Sequence, residues 1–264
     1  CGDVAPQFYE AEGARWLRSY FGGLVATCGL ITVGAPNAGS ELSGEGLHGR
    51  IGNAPAKDVS IEQCWEKGDY VLRLTGTMRE TRVFGENLVL KRTITTRLGS
   101  RSIALHDELT NEGFDTTRYM LLYHCNIGWP AVDTGSELLF PTRYIAPRDA
   151  AAIEGKEDWY KLDSPTHRYA EKVYYHDMAS DRSGRVTVAV VNNKFGKQTE
   201  GFGVYVTYNK KQLPRFTQWK QMGEQDYVVG LEPCNCGVEG RAIDEKHGLL
   251  HALRPGETKV FDLE

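Results

Sequence analysis

The sequence predicts an all-β fold, built as a single antiparallel sandwich over residues 1–264. Three observations carry the prediction. Apolar residues recur at period two through most of the chain from Tyr70 onward, the spacing of half-buried strands. Gly, Asn, Asp and Pro punctuate those runs, as hairpin turns require. No alternation of strands with helical stretches appears, which argues against a parallel sheet flanked by helices. A chain of 264 residues is long enough to bury the large core of such a sandwich.

The elements follow in order. Ala14 to Phe21 reads as a helix, because Trp16, Leu17, Tyr20 and Phe21 recur at helical spacing and Gly22-Gly23 supplies a stop. The first strand signal places Tyr70, Leu72 and Leu74 on one parity and Val71, Arg73 and Thr75 on the other. Leu88, Leu90 and Ile94 share a parity in the next run, and Ile103, Leu105 and Leu109 in the one after it. Gly99-Ser100 between these two runs is a hairpin turn. Arg148 to Ala170 is polar and irregular and reads as a long loop. Strands then resume at Arg185–Val191, Gly203–Tyr208, Tyr227–Leu231 and Thr258–Leu263.

Composition narrows the function classes. The 35 acidic and 31 basic residues leave a formal net charge of −4, with no strongly basic stretch, so nucleic acid and anionic membranes are not expected partners. No apolar run approaches the length of a membrane span, and no signal peptide is visible; a cytoplasmic protein, monomer or homodimer, is the expectation. The chain opens on Cys1 rather than Met, so further residues are expected ahead of it. The six cysteines match no disulfide scaffold, and Cys234-Asn235-Cys236 lacks partners at zinc-ligand spacing. Reduced thiols, no metal and no cofactor are therefore expected.

Three segments carry candidate chemistry. In Gly46-Leu47-His48-Gly49-Arg50, glycines flank a His and an Arg two apart. On an extended chain those two would face one side and could converge on a polar ligand, or they form a solvated turn; spacing leaves the two readings even. In Leu121–Pro130, His124 and Asn126 sit two apart in an apolar run that ends at Trp129. A lone His there would be core; its company makes it a candidate. In Tyr227–Asn235, Glu232 follows an apolar strand, and a carboxylate leaving water must be paired, protonated or poised for a task. Trp219 and Lys220 lie just upstream.

One His and one Glu on separate strands suit a reaction needing an acid and a base together. Anomer interconversion is one: a proton goes to the ring oxygen of a pyranose while another leaves the C1 hydroxyl. The sequence also lacks a phosphate-binding glycine loop, HExxH and GxSxG.

Taken in order, Gly22-Gly23-Leu24 with Thr27-Cys28-Gly29-Leu30, Gly46–Arg50, Phe84-Gly85-Glu86, Tyr123–Asn126 and Leu231-Glu232-Pro233 resemble a branch of the galactose mutarotase-like superfamily. Its members are described as aldose 1-epimerase-like or as a domain of unknown function of the DUF4432 type. The resemblance runs from about Gly22 to Glu257. It implies a large antiparallel β-supersandwich with few short helices and a sugar cleft. It also implies His124 as acid, Glu232 as base, His48 as a sugar-contacting His and Arg50 as a companion. Many mutarotases carry Gly where Arg50 stands, and their binding Asp has no match here; their early strands and early binding Arg would lie before or near Cys1.

His48, Arg50, His124, Asn126, Trp219, Lys220 and Glu232 are therefore expected to line one cleft that takes a small-molecule sugar. Two other readings stand beside the epimerase. One is another acid–base sugar isomerase or lyase on the same cleft, the other a carbohydrate-binding or sensing protein without chemistry. A glycosidase would need a second carboxylate beside Glu232.

Overall fold

The computed structural model describes residues 10, 14–36, 46–196 and 200–264. Its strands, in chain order, begin with β1 (Ala26–Leu30), β2 (Lys57–Glu66), β3 (Asp69–Thr81), β4 (Asn87–Arg97) and β5 (Ala104–Asn111). They continue with β6 (Thr117–Ile127), β7 (Glu137–Leu139), β8 (Thr142–Pro147), β9 (Lys172–Met178) and β10 (Arg185–Asn192). The last five are β11 (Phe202–Asn209), β12 (Arg215–Met222), β13 (Tyr227–Cys234), β14 (His251–Leu253) and β15 (Thr258–Leu263). Two short α-helices, α1 (Ala150–Glu154) and α2 (Arg241–Lys246), interrupt them. The chain is thus all-β and built largely of antiparallel strands. No helix among the described residues is long and apolar enough to cross a membrane.

The chain divides into two compact units. The first holds residues 1–21, 27–121 and 235–264; the second holds 22–26 and 122–234. β6 supplies its first half to one unit and its second half to the other.

In the first unit, β2, β3, β4, β5 and β15 pair antiparallel in that order. β1, the start of β6 and β14 form the opposing layer. Leu30, Leu88, Leu90 and Leu109 are fully buried between them, each contributing about 1.5–3 kcal/mol through the water it sheds. Tyr119 meets Phe261 edge to face across the core, at 6.3 Å between ring centroids. Two buried carboxylates are satisfied inside this unit. Asp107 receives two hydrogen bonds from Arg92, at 2.8 and 2.6 Å, and Glu80 accepts the Leu30 amide at 2.7 Å.

In the second unit, the end of β6 pairs with β13, and β12, β9 and β8 continue that sheet. β7, β10 and β11, which pair antiparallel with β10 in the middle, pack against it, with Tyr208 of β11 stacked on Phe216 of β12 at 6.0 Å. Phe140, Trp159 and His176 complete this aromatic core.

Local structure departs from the sequence expectations in three places. Ala14–Arg18 is a short 3-10 turn in place of a helix reaching Phe21, and of the four apolar residues at helical spacing only Trp16 is buried. A turn with one anchored side chain has no apolar face to sustain further turns. On β3 it is Val71 that is buried, whereas Leu74 on the opposite parity is 42% exposed. The long polar stretch from Arg148 contains α1, started by Asp149, whose carboxylate accepts the Ala152 amide at 3.0 Å. That N-cap suffices for a single turn and was masked by the polarity around it.

Candidate functional site

Strand register determines which side chains meet. Along β13, alternate residues face opposite sides, so Gly230 and Glu232 share one face while Val229 and Leu231 share the other. Antiparallel pairing sets Gly230 beside Asn126 of β6 and beside Trp219 of β12, and sets Thr217 beside Glu232. The same register puts His124 next to Glu232. One face of the second unit's sheet therefore carries His124, Asn126, Glu232 and Trp219. The other face, with Phe216, Gln218 and Lys220, turns toward the core of that unit.

Glu232 is the most constrained of these. Its side chain is 2% exposed, and its Oε1 lies 3.0 Å from His124 Nε2. The contact is at ion-pair distance, and Oε1 has no well-formed hydrogen bond among the described residues. Burial pushes the Glu232 carboxyl well above the ordinary carboxylate range. The negative charge of Glu171 adds to that shift and the positive charge of Arg148 opposes it. A carboxyl so placed holds a proton more readily than an exposed one.

Gly230 makes room for it. A Cβ at this position would collide with Glu232 Oε1 and press on His124 Cε1 and Trp219 Cβ, both at 3.1 Å. Glycine here is a requirement of close approach. His124 is buried as well, at 6%, and Trp219 meets it edge to face at 5.4 Å between ring centroids. The indole Nε1 of Trp219 donates to Glu171 Oε2 at 2.7 Å. Glu171 in turn accepts from Arg148 at 2.9 Å, and Arg148 Nε donates to Asp149 at 2.8 Å. A hydrogen-bonded chain thus runs from the Trp219 indole, which packs on His124, to the surface.

Glu171, Arg148 and Asp149 went unread in the sequence. They fall at the edges of the irregular stretch before β9, where no periodicity marks a residue as facing a site. The one signal that could have found them is opposite charge flanking a capped turn.

The remaining expected residues divide as follows. Asn126 shares the face of His124, yet its amide is spent on backbone: Nδ2 donates to Gly23 O at 2.9 Å and to His124 O at 3.1 Å. It clips residues 22–26 onto β6. Lys220 does not join the site. As the neighbour of Trp219 on a strand it points to the opposite face, is 2% exposed, and pairs with Asp163 at 3.0 Å. Trp129 is 72% exposed and packs edge-on to Phe195.

His48 and Arg50 belong to the first unit and sit in a turn, not on an extended chain. His48 has φ 63° and Gly49 φ 77°, and Gly49 lies against the carbonyls of Thr32 and Gly29, where a Cβ has no room. Left-handed geometry removes the premise that residues two apart face alike. His48 Nδ1 accepts the Gly34 amide at 3.3 Å, and its ring packs 5.4 Å from Trp16, so the ring is fixed in place; Arg50 is exposed.

The described cysteines, Cys28, Cys64, Cys125, Cys234 and Cys236, are free thiols; Cys1 lies outside the described residues. Among the described residues no three His, Cys, Asp or Glu side chains cluster at metal-ligand spacing. The first unit carries a separate cavity of about 610 Å³, lined in part by Arg82, Arg118 and Arg241. Each arginine is already engaged: Arg82 with Glu86, Arg118 with Glu245, and Arg241 with the carbonyls of Ile31 and Arg118.

Comparison with known proteins agrees with this architecture. A family model described as a domain of unknown function, DUF4432, matches residues 1–264. A protein of Klebsiella pneumoniae provisionally named an aldose 1-epimerase is 29% identical and superimposes with a TM-score of 0.89, over 98% of this chain and 66% of that one. This chain therefore spans just under two thirds of that protein. A galactose mutarotase-like protein of Clostridium acetobutylicum is 10% identical, with a TM-score of 0.55 over 91% of this chain and 78% of that one. A galactose mutarotase related enzyme of Lactobacillus acidophilus is 14% identical, with a TM-score of 0.51 over 83% and 73%. At those identities the last two speak for the fold alone. No curated protein matches the chain. The full-length family match, together with the superposition on mutarotase-like structures, places this chain in the DUF4432 family, with a galactose mutarotase-like fold.

Proposed function

We propose that the protein is a cofactor-independent aldose 1-epimerase that interconverts the anomers of a free sugar or sugar derivative through His124 and Glu232. The observation that carries this reading is the buried 3.0 Å approach of His124 Nε2 to Glu232 Oε1. The resemblance to a protein provisionally named an aldose 1-epimerase supports it.

The chemistry follows from the pair. In ring opening, Glu232 takes the proton of the C1 hydroxyl while His124 gives one to the ring oxygen, and the C1–O5 bond breaks. Both oxygens are bonded to the same carbon, so they lie close enough together to meet two adjacent side chains at once. Rotation about C1–C2 presents the other aldehyde face, and closure returns both protons. No net proton crosses the site, and neither group needs resetting by solvent. A raised carboxyl pKa suits a base that must be both ionised enough to accept and basic enough to hold a proton. Trp219 offers an apolar wall beside the pair, against which a sugar's C–H face can pack.

The test is anomer exchange by NMR across a panel of neutral and acidic sugars. Glu232→Gln and His124→Asn are expected to lower turnover by about 10²–10⁴-fold each, with sugar binding retained. The wild-type rate is expected to peak with pH, since the acid must be protonated and the base ionised. Wild-type exchange in both folded variants would falsify the assignment. Sugar binding with no exchange in the wild type would favour the non-catalytic binding reading.

A further inference from the structure

We propose that Glu171 is a positioning residue of this site: it fixes the Trp219 indole against His124 and thereby holds the His124–Glu232 pair in its reactive arrangement. The inference rests on the acid–base reading of that pair and extends it to a residue just ahead of β9.

Geometry supports it at each link. Glu171 immediately precedes β9 and reaches across to β12, where its Oε2 accepts the Trp219 indole N–H at 2.7 Å. Its Oε1 is held by Arg148 at 2.9 Å, so the carboxylate is tied from both sides and is not a free-swinging surface group. Trp219 in turn contacts both partners' surroundings: its ring meets His124 at 5.4 Å, and its Cβ crowds the space over Gly230 into which Glu232 folds. A tilt of the indole would therefore move His124 or open a gap beside it. A displacement of about 1 Å in a catalytic group costs on the order of 10²-fold in rate.

Electrostatics supplies a second, separable consequence. The charged or titratable groups acting on Glu232 within the second unit are His124 from β6, Glu171 from the approach to β9, and Arg148 from the end of β8. Thr217 and Trp219 of β12 carry no charge. Glu171 disfavours ionisation of Glu232 and Arg148 favours it. Removing the Glu171 charge while keeping its hydrogen bond should thus make Glu232 easier to ionise.

Two variants separate the contributions. Glu171→Gln keeps an oxygen for the indole N–H and loses the charge. Glu171→Ala loses both. In Glu171→Ala, kcat is expected to fall about tenfold or more with KM little changed, and the ¹⁹F signal of 5-fluorotryptophan at position 219 is expected to shift and broaden. In Glu171→Gln, the Trp219 signal is expected to stay sharp, while the acid limb of the kcat/KM profile moves to lower pH. The ¹³C titration of the Glu232 carboxyl is expected to move the same way. The fluorine and carbon spectra need no turnover, so they decide the positioning role even if the epimerase reading fails. An unchanged Trp219 signal in Glu171→Ala overturns the proposal, and an unchanged Glu232 titration in Glu171→Gln overturns its electrostatic part. A rise in KM with kcat intact also overturns the proposal, because that outcome leaves the His124–Glu232 pair undisturbed.

Discussion

Gly230 lies directly beneath the carboxyl of Glu232, two residues along the same strand, and the carboxyl occupies the volume a side chain at 230 would fill. The Glu232 position is therefore bought by the absence of a Cβ. Gly230→Ala is expected to displace Glu232 from His124 and to cut anomer exchange by about 10²-fold, while the far-ultraviolet circular dichroism stays that of a β-protein. Unchanged exchange in a folded Gly230→Ala protein would show that the carboxyl tolerates another position.

Glu232 should also make stability depend on pH. Its carboxyl is raised well above 4.5 in the folded chain, so between that range and its folded value the unfolded chain has lost a proton that the folded one retains. The stability associated with this group is highest at acid pH and falls as pH rises through that window. Glu232→Gln lacks this titration. The difference in Tm between Glu232→Gln and wild type is expected to shift in favour of the variant from pH 4.5 upward and then level off. A difference that stays flat with pH would show that Glu232 ionises as an exposed carboxylate does.

Lys220 offers a contrast with its neighbour Trp219. It is buried on the core face of the sheet and paired with Asp163, which remains 46% exposed. Lys220→Ala is expected to cost about 1–3 kcal/mol of stability through the lost pair and the space left behind, with turnover per folded molecule unchanged. Chemical denaturation and anomer exchange on one preparation check both parts. A loss of turnover at full stability would place Lys220 in the site after all.

Asn126 ties residues 22–26 to β6 through its hydrogen bond to Gly23 O. Asn126→Ala is expected to cost about 1 kcal/mol and to raise amide exchange at residues 22–26, whose other anchor on this residue is the Asn126 amide bonded to Leu24 O at 3.2 Å. Hydrogen exchange confined to the rest of β6 would contradict this role.

The fold class and the central pair were legible in the sequence. Period-two patterning is a local property, set by the geometry of a single strand, and it marked β4, β5, β10, β11 and β15 before any contact was known. His124 and Glu232 stood out for an equally local reason: each is a polar group in an apolar run, and burial demands a partner for it. What the sequence could not supply was register. Which face Lys220 occupies depends on its pairing with Val229, and the meeting of Trp219 with Glu171 depends on β12 lying beside β9. The left-handed turn at His48 was hidden because spacing assumes an extended chain, and Arg148 and Glu171 because a loop has no period to read. Local periodicity determined the strands and their candidate chemistry; the partner of each side chain was decided only by tertiary pairing, since strand register joins residues that no spacing along the chain relates.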